Sequence, residues 1–569
     1  MMEFQRFGPS PLPDDAVSQP VTVRDGVKLA TDLYGIDETK PSPTILIRTP
    51  YDKCGPIHGL PQVARRFVEA GYSVAVQDVR GKFRSEGATE FQKHEADDSY
   101  DVIDWVSRQP WNNGSVAMWG ISYYGFVTLA AASSGHPALK AIAPRVTGSQ
   151  LAHNLRYRDG SREVEPLLSR WYYGQAYVEN DLFGYKLDVK KLPLSKLFDE
   201  FFDEIGYRSA DFDASFKEDF RERGLSTAQL LSHPVPTLYT VGWYDFSAGQ
   251  SWADIDRLSA SPAWAGKLHL QLEAIDHDGY SLDQAPMTEA DLHWMNPAVR
   301  QAMLDRMMPP AIAFFNHYLR GGPPVPRVRY EVCHGSMKAS GSWPPEPSRA
   351  VQLYLDQAQD GAGTIALAPG APSQVQWEHD GNNLITSVGG FADAPAGPGS
   401  VSLFMAWPDF AEMSKRPDVV SFRSAPMRAD VELAGPVDLF GRIGSTLDGT
   451  DIFVRLLDEA PDGTQRQITR GQIHVEGVRA PGAGELTPFH VPSMQTAYRL
   501  AAGHRLALQI FSSDFPEFVP NGGAGVDPWL VETVPSSTQV LELGGEQGAM
   551  VRLTVGMTAE AVSAAFPAA

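Results

Sequence analysis

A serine framed by glycines, Gly120-Ile121-Ser122-Tyr123-Tyr124-Gly125, is where this sequence offers its clearest chemistry. A serine hydroxyl is a weak nucleophile until an imidazole takes its proton and a carboxylate holds that imidazole in one tautomer. Two later apolar runs end in such groups. Leu238 to Gly242 leads into Trp243-Tyr244-Asp245-Phe246, and Leu268 to Ala274 leads into Ile275-Asp276-His277-Asp278-Gly279. Ser122 is thus the candidate nucleophile, Asp245 the candidate acid and His277 the candidate base. Among the 14 histidines, His269 sits inside a strand pattern and His317 inside a helix pattern, so both read as structural. Asp276 and Asp278 compete with Asp245, but a carboxylate adjacent in sequence to an imidazole reaches its ring nitrogens awkwardly. A helix N-cap is the plain alternative for Asp245. The chain has no HExxH or CxxC motif, and Asp276-His277-Asp278-Gly279 is too short for a calcium loop, so neither metal nor cofactor is expected.

Groups so far apart in sequence need a rigid frame. Residues 115–118 read as a buried strand, and 126–132, closed by Gly135 with Pro137 beyond, as a helix. A strand, a tight turn with serine at its tip and a helix make a nucleophile elbow, in which the helix N-terminus offers N–H groups to an oxyanion. The usual glycine two places after the serine is Tyr124 here, and glycine follows at Gly125. Further strands are expected over 44–49, 73–79, 141–144, 236–242 and 268–272, with helices over 60–70 and 97–109 and a hairpin around Asp25-Gly26. This alternation implies βαβ units and a mainly parallel sheet. Nucleophile, acid and base then follow in the order of an α/β-hydrolase, each after a strand. The rhythm breaks between 149 and 233, an aromatic segment of helical pattern that reads as an insertion. A helix over 311–319 ends at Gly321-Gly322, and from about 349 short alternating runs imply an all-β sandwich or jelly roll.

Composition narrows the setting. A chain of 569 residues should hold two or three domains, and its net charge of −21 argues against nucleic acid or an anionic membrane as partner. Two cysteines make no disulfide framework, no apolar run reaches membrane-spanning length, and the proline-rich stretch 1–20 lacks the apolar segment of a secretory signal. A soluble, cytoplasmic protein acting on a small molecule is the expectation. The sequence leaves the oligomeric state, including a homo-oligomer, open.

In combination these pieces resemble the cocaine-esterase-like (CocE/NonD) serine hydrolases, relatives of the X-prolyl dipeptidyl peptidases and α-amino-acid ester hydrolases. The matching stretches are Arg48-Thr49-Pro50-Tyr51-Asp52-Lys53, Gln77-Asp78-Val79-Arg80-Gly81, Ser85-Glu86-Gly87, the elbow, Gly242-Trp243-Tyr244-Asp245 and Phe314-Phe315-Asn316-His317-Tyr318-Leu319-Arg320-Gly321. Gly503-His504-Arg505-Leu506 and Ser512-Ser513-Asp514-Phe515-Pro516 extend the likeness towards the C-terminus. The resemblance implies an α/β-hydrolase core (1–148 and 234–345), an inserted helical cap (149–233) and a C-terminal jelly-roll β-sandwich (346–569). It implies a triad of Ser122, Asp245 and His277, with an oxyanion hole made by the backbone N–H of Tyr123 and the phenol of Tyr51. Trp171, Tyr172 and Trp243 are the aromatic residues expected to bind substrate. One departure stands out: where relatives commonly carry Gly-Pro-Trp ahead of the histidine, this chain reads Glu273-Ala274-Ile275-Asp276. The expected reaction is hydrolysis of a carboxylic ester, or an amide, through an acyl-enzyme. The alternatives are a peptidase of the X-prolyl type and, in another class, a catalytically silent binding protein.

Overall fold

The computed structural model describes residues 4–151, 164, 167–177, 181–185, 192–215, 223–357, 363–388, 402–482, 484–493, 495–523 and 525–566. The apolar runs of the first 340 residues pair into one sheet of ten described strands. Read across the sheet, these are Met337–Ser340, Val328–Glu331, Leu268–Asp276, Thr237–Tyr244, Leu139–Arg145, Asn112–Ile121, Ser42–Thr49, Ser73–Asp78, Lys28–Tyr34 and Val17–Thr22. Neighbours from Val328–Glu331 to Ser73–Asp78 run parallel, and antiparallel strands close both edges. The inner strands are buried along nearly their whole length, as expected of parallel strands covered on both faces.

This order places the chemistry. Tyr51, Ser122, Asp245 and His277 each follow the C-terminal end of a strand of the parallel set, the edge where open α/β sheets gather their ligands. Ser122 follows Asn112–Ile121, with the strand leading to Tyr51 beside it on one flank. The strands leading to Asp245 and His277 pair with each other on the far side of Leu139–Arg145.

Three elements differ from the sequence reading. The helix expected over 311–319 runs from Pro297 to Arg320, capped by Asn296, whose side chain accepts from the N–H groups of Ala298 and Val299. Pro309 and Pro310 lie inside it; proline ordinarily ends a helix, so the pair conceals the first half from a propensity argument. The strand expected over 115–118 runs from Asn112 to Ile121, because Asn112 already pairs with Ser42 ahead of an irregularity in the ladder at Asn113-Gly114. The segment 149–233, part of which lies outside the described residues, is not wholly helical. It contains helices Leu167–Ala176, Ser195–Ile205, Ala210–Ala214 and Thr227–Leu231, together with the strand Leu182–Tyr185 paired antiparallel with Phe4–Phe7.

From Arg349 onward the chain is mostly strand, joined into a second sheet of twelve described strands. Its backbone is the long strand Val431–Ser445, which pairs with Met550–Val555, Ser537–Leu543, Thr487–Pro492 and Thr496–Leu500. It docks beside the strand ends that carry the candidate acid and base. The Tyr244 hydroxyl donates to the Gln467 carbonyl (3.2 Å), and the Met287 N–H donates to the Phe404 carbonyl (2.8 Å). Among the described residues no helix is long and apolar enough to cross a membrane.

Candidate active site

The elbow is built by close approach. Ser122 has φ +51°, a left-handed conformation that costs a non-glycine residue energy and is held here by its surroundings. A Cβ on Gly120 would lie 2.0 Å from the Tyr124 carbonyl oxygen, and one on Gly125 would lie 2.8 Å from Thr147 Cγ2. Both positions must therefore be glycine. The glycine three places after the serine faces Thr147 at the end of the next strand, while Tyr124 is free to be large and is buried in the core. Helix Ser122–Ser133 starts at the serine itself, so the free N–H groups of its first turn begin at the nucleophile.

Two strand ends supply the partners. His277 Nε2 lies 2.9 Å from Ser122 Oγ, and His277 Nδ1 lies 2.7 Å from Asp245 Oδ1. Asp245 is fully buried, and its carboxylate also accepts from the N–H (2.9 Å) and hydroxyl (2.8 Å) of Ser247. Burial alone would push the His277 imidazole down. The adjacent Asp245 carboxylate, with Asp278 behind it, outweighs that and leaves it raised. Asp276 faces away from the imidazole: its Oδ1 accepts from the Tyr280 N–H (3.0 Å) and its Oδ2 meets the Ser402 hydroxyl.

On the other flank the Tyr51 ring is buried and stacked on His58, with centroids 4.4 Å apart. Its hydroxyl faces Ser122, Tyr172 and the Tyr123 N–H, and its ring meets that of Tyr172 edge-on, with centroids 6.1 Å apart. Burial raises the Tyr51 phenol above its ordinary value, so it is a protonated donor at neutral pH. Tyr123 turns its own side chain the other way. Its hydroxyl donates to Glu95 Oε1 (2.9 Å) and accepts from the Gln92 N–H (2.9 Å). Arg48 completes that buried network through Glu95 Oε2 (2.9 Å).

Beside Ser122 opens a cavity of about 130 Å³. Tyr51, Tyr172, Tyr177 and Phe246 bring rings to it, and Met303 and Met307 close it from one face of helix Pro297–Arg320. Of the aromatic residues expected to bind substrate, Tyr172 lines this cavity and two do not. Trp171 is one residue, about 100° of helix, from Tyr172 and packs between Phe198 and Phe201 (centroids 5.9 and 5.7 Å). Trp243 is 1% exposed, stacks with Trp252 and Trp343, and donates its indole N–H to the Glu331 carbonyl (2.7 Å). No face of that ring remains for a ligand. Phe246 takes the position beside the base instead, its ring 4.1 Å from that of His277. His58, Phe246, His293 and the two methionines escaped the sequence reading. The methionines were legible as an i, i+4 pair, had the helix been carried back through Pro309-Pro310.

The unusual Glu273-Ala274-Ile275-Asp276 stretch also has a physical account. Glu273 is buried and accepts from Arg145 (2.8 Å) and Gln271 (2.8 Å), and these donors hold its carboxyl below the ordinary range despite burial. Glu331 accepts from the Ala274 N–H (2.8 Å) and meets Arg306 of the methionine-bearing helix. Ion pairs thus grip the strand that ends at His277.

Comparison with known proteins defines the class. Residues 25–277 match the X-Pro dipeptidyl-peptidase (S15) family, and residues 324–551 match the C-terminal non-catalytic domain of X-Pro dipeptidyl-peptidases. The chain belongs to this S15 family of serine hydrolases, in its cocaine-esterase-like group. It is 29% identical to a cocaine esterase of Rhodococcus sp. (strain MB1 Bresler), an alignment covering 89% of this chain and 92% of that one. In fold it is similar to an aminopeptidase from a marine-sediment Thaumarchaeota archaeon (TM-score 0.76, 21% identity, 96% and 98% of the two chains). It is likewise similar to an α-amino acid ester hydrolase (TM-score 0.74, 21% identity, the same coverage).

Proposed function

We propose that the protein is a serine esterase that cleaves carboxylic esters through an acyl-enzyme. The observation that carries this reading is the continuous chain Ser122 Oγ to His277 Nε2 (2.9 Å), then His277 Nδ1 to Asp245 Oδ1 (2.7 Å), with the Tyr51 hydroxyl beside the same serine. In this mechanism His277 takes the Ser122 proton as the hydroxyl attacks the ester carbonyl. Tyr51 and the Tyr123 N–H then donate to the oxygen on which charge develops. Collapse expels the alcohol with the proton carried by His277, and water repeats the cycle on the acyl-enzyme. Asp245 keeps the Nδ1 proton in place and stabilises the imidazolium. The similarity to a cocaine esterase favours ester over amide, and the size of the cavity favours a compact acyl or alcohol group, since a void of about 150 Å³ holds a benzene.

We read 149–233 as a cap over this cavity and 346–569 as a jelly roll that buttresses the base. The acid, base and first cavity walls then lie within 1–148 and 234–345. Two buried, unpaired cysteines, Cys54 and Cys333, suit the cytoplasmic location we propose. The test is a fluorophosphonate probe followed by a substrate panel. Ser122 should be the labelled residue, and nitrophenyl esters should turn over far faster than Xaa-Pro anilides. Labelling at another serine refutes the mechanism, and preference for the anilides makes the protein an X-prolyl peptidase.

A further inference from the structure

The two groups proposed to meet the oxyanion come from distant parts of the chain. The Tyr51 phenol follows strand Ser42–Thr49, and the Tyr123 N–H belongs to the first turn of the elbow helix. Two such donors serve one oxygen only if their spacing is held to within ~0.5 Å by side chains that are themselves locked. The structure supplies one buried group placed to do this.

That group is Glu95, the first residue of helix Glu95–Ser107. Its Oε1 accepts from the Tyr123 hydroxyl (2.9 Å), and its Oε2 accepts from Arg48 Nη1 (2.9 Å). Arg48 lies three residues before Tyr51, near the end of the strand that delivers the phenol. The guanidinium is fixed on its other sides, with Nη1 donating to the Ser99 hydroxyl (2.7 Å) and the Glu95 carbonyl (3.2 Å) and Nε to Gln77 Oε1 (2.7 Å) on the adjacent strand. The Tyr123 hydroxyl is also held from a second direction, by the Gln92 N–H (2.9 Å). Gln92 has φ +60°, a left-handed backbone that its surroundings must maintain to aim that N–H. Tyr123, Glu95, Arg48 and Gln92 are all buried.

Stability alone is a weak reason for this arrangement, since apolar residues of the same volume often stabilise a core as well as a buried ion pair does. Charge-assisted hydrogen bonds instead fix distance and direction. Neither Glu95 nor Arg48 lines the cavity, so any effect of theirs on turnover passes through the residues they hold. We infer that Glu95 is a positioning residue for the oxyanion hole: its two oxygens tie the residue that gives the backbone donor to the strand that carries the phenol donor. The inference rests on the esterase reading of Ser122 and adds what sets the spacing of its two donors.

Tyr123→Phe tests it, because the variant keeps the ring and the backbone N–H but cuts the tie to Glu95. On nitrophenyl butyrate kcat should fall by about ten- to a hundredfold, the scale of a ~1 Å misplacement. KM should stay within about threefold, because the ground-state carbonyl needs these donors less. Glu95→Gln, which keeps the shape but loses the charge that faces Arg48, should lower kcat in the same way by a smaller factor. Coupling separates positioning from mere support. Once the donors are out of register, Tyr51→Phe should cost about tenfold less in either variant than in the parent. Melting temperatures and active-serine titration with a fluorophosphonate, run to completion, correct each preparation for folded enzyme. The inference is overturned if both stable variants keep kcat within about threefold of the parent, or if the Tyr51→Phe loss multiplies through undiminished. The parent enzyme reports on the esterase reading separately: if it cleaves the ester and the losses multiply, only the positioning role falls, whereas if it cleaves no ester both fail.

Discussion

Two paired strand ends each carry a buried carboxylate close in the fold or the chain to His277, and the protein treats the two in opposite ways. At the end of Thr237–Tyr244, Asp245 is buried among donors: Ser247 offers an N–H and a hydroxyl, and the His277 ring closes the set at 2.7 Å. At the end of Leu268–Asp276, Asp276 is equally buried but has Asp278 close by, and burial together with that like charge pushes its carboxyl up to about 8. Asp245 thus meets the imidazole with its oxygens taken up by donors, whereas burial and a like charge favour the protonated form of Asp276. Nearness in sequence to the histidine therefore counts for less than the number of donors aimed at each oxygen.

The comparison can be broken most violently at the groups Asp245 serves. Ser122→Ala or His277→Ala should each reduce kcat by up to about a million-fold, and the double variant should be little worse, because the members of such a relay act as a unit. Additive losses would separate the two groups. Asp245→Asn should cost on the order of ten-thousand-fold by turning the imidazole into the wrong tautomer. It should also move the acid limb of the pH profile. The raised His277 loses its base function as pH falls through a value above the ordinary imidazole range, and that limb should shift downward once Asp245 is neutralised. A limb that stays in place would mean that Asp245 does not set the imidazole. Next in size comes Tyr51→Phe, which keeps the ring on His58 but deletes one donor to the oxyanion. A loss of about 10²–10³ in kcat with little change in KM is expected. A stable variant within about tenfold of the parent, a difference of about 1.4 kcal/mol, removes Tyr51 from the mechanism.

What could be read in the sequence divides along the same physical line. Buried parallel strands are continuous apolar runs, so the sheet and the chain order of Ser122, Asp245 and His277 were legible, and the Tyr51 motif came with the family resemblance. The geometry brings these four groups together. Cavity walls are harder, since they depend on which face of an element turns inward. Tyr172 and Trp171 are adjacent and equally aromatic, yet only the helix phase separates the one at the cavity from the one among Phe198 and Phe201. Trp243 sits two residues before Asp245, but its indole is committed to Glu331 and to Trp343. The strand Phe4–Phe7 is four residues long and owes its form to a partner far along the chain, which no local pattern encodes.

Asp276→Asn should give the smallest effect on turnover, and it tests the other half of the comparison. Asparagine is an isostere of the protonated acid. It can still accept from the Tyr280 N–H, and its amide can donate to the Ser402 hydroxyl as a neutral carboxyl would. If Asp276 is neutral in the folded enzyme near pH 7, kcat should change by less than about threefold, a difference well under 1.4 kcal/mol. Stability carries the sharper sign. An acid whose folded value is raised to about 8 holds its proton in the native state at pH values where the unfolded chain has released it. Native protein therefore binds more protons than unfolded protein between the ordinary carboxylate range and about 8, and stability contributed by this group falls as pH rises across that window. Asparagine has no proton to lose. Melting curves of the parent and the variant between mildly acidic and alkaline pH should accordingly diverge, with Asp276→Asn gaining on the parent as pH rises. Should the variant instead lose catalysis as heavily as Asp245→Asn, with no relative gain at high pH, then Asp276 is the anion His277 depends on and the roles of the two strand ends are exchanged.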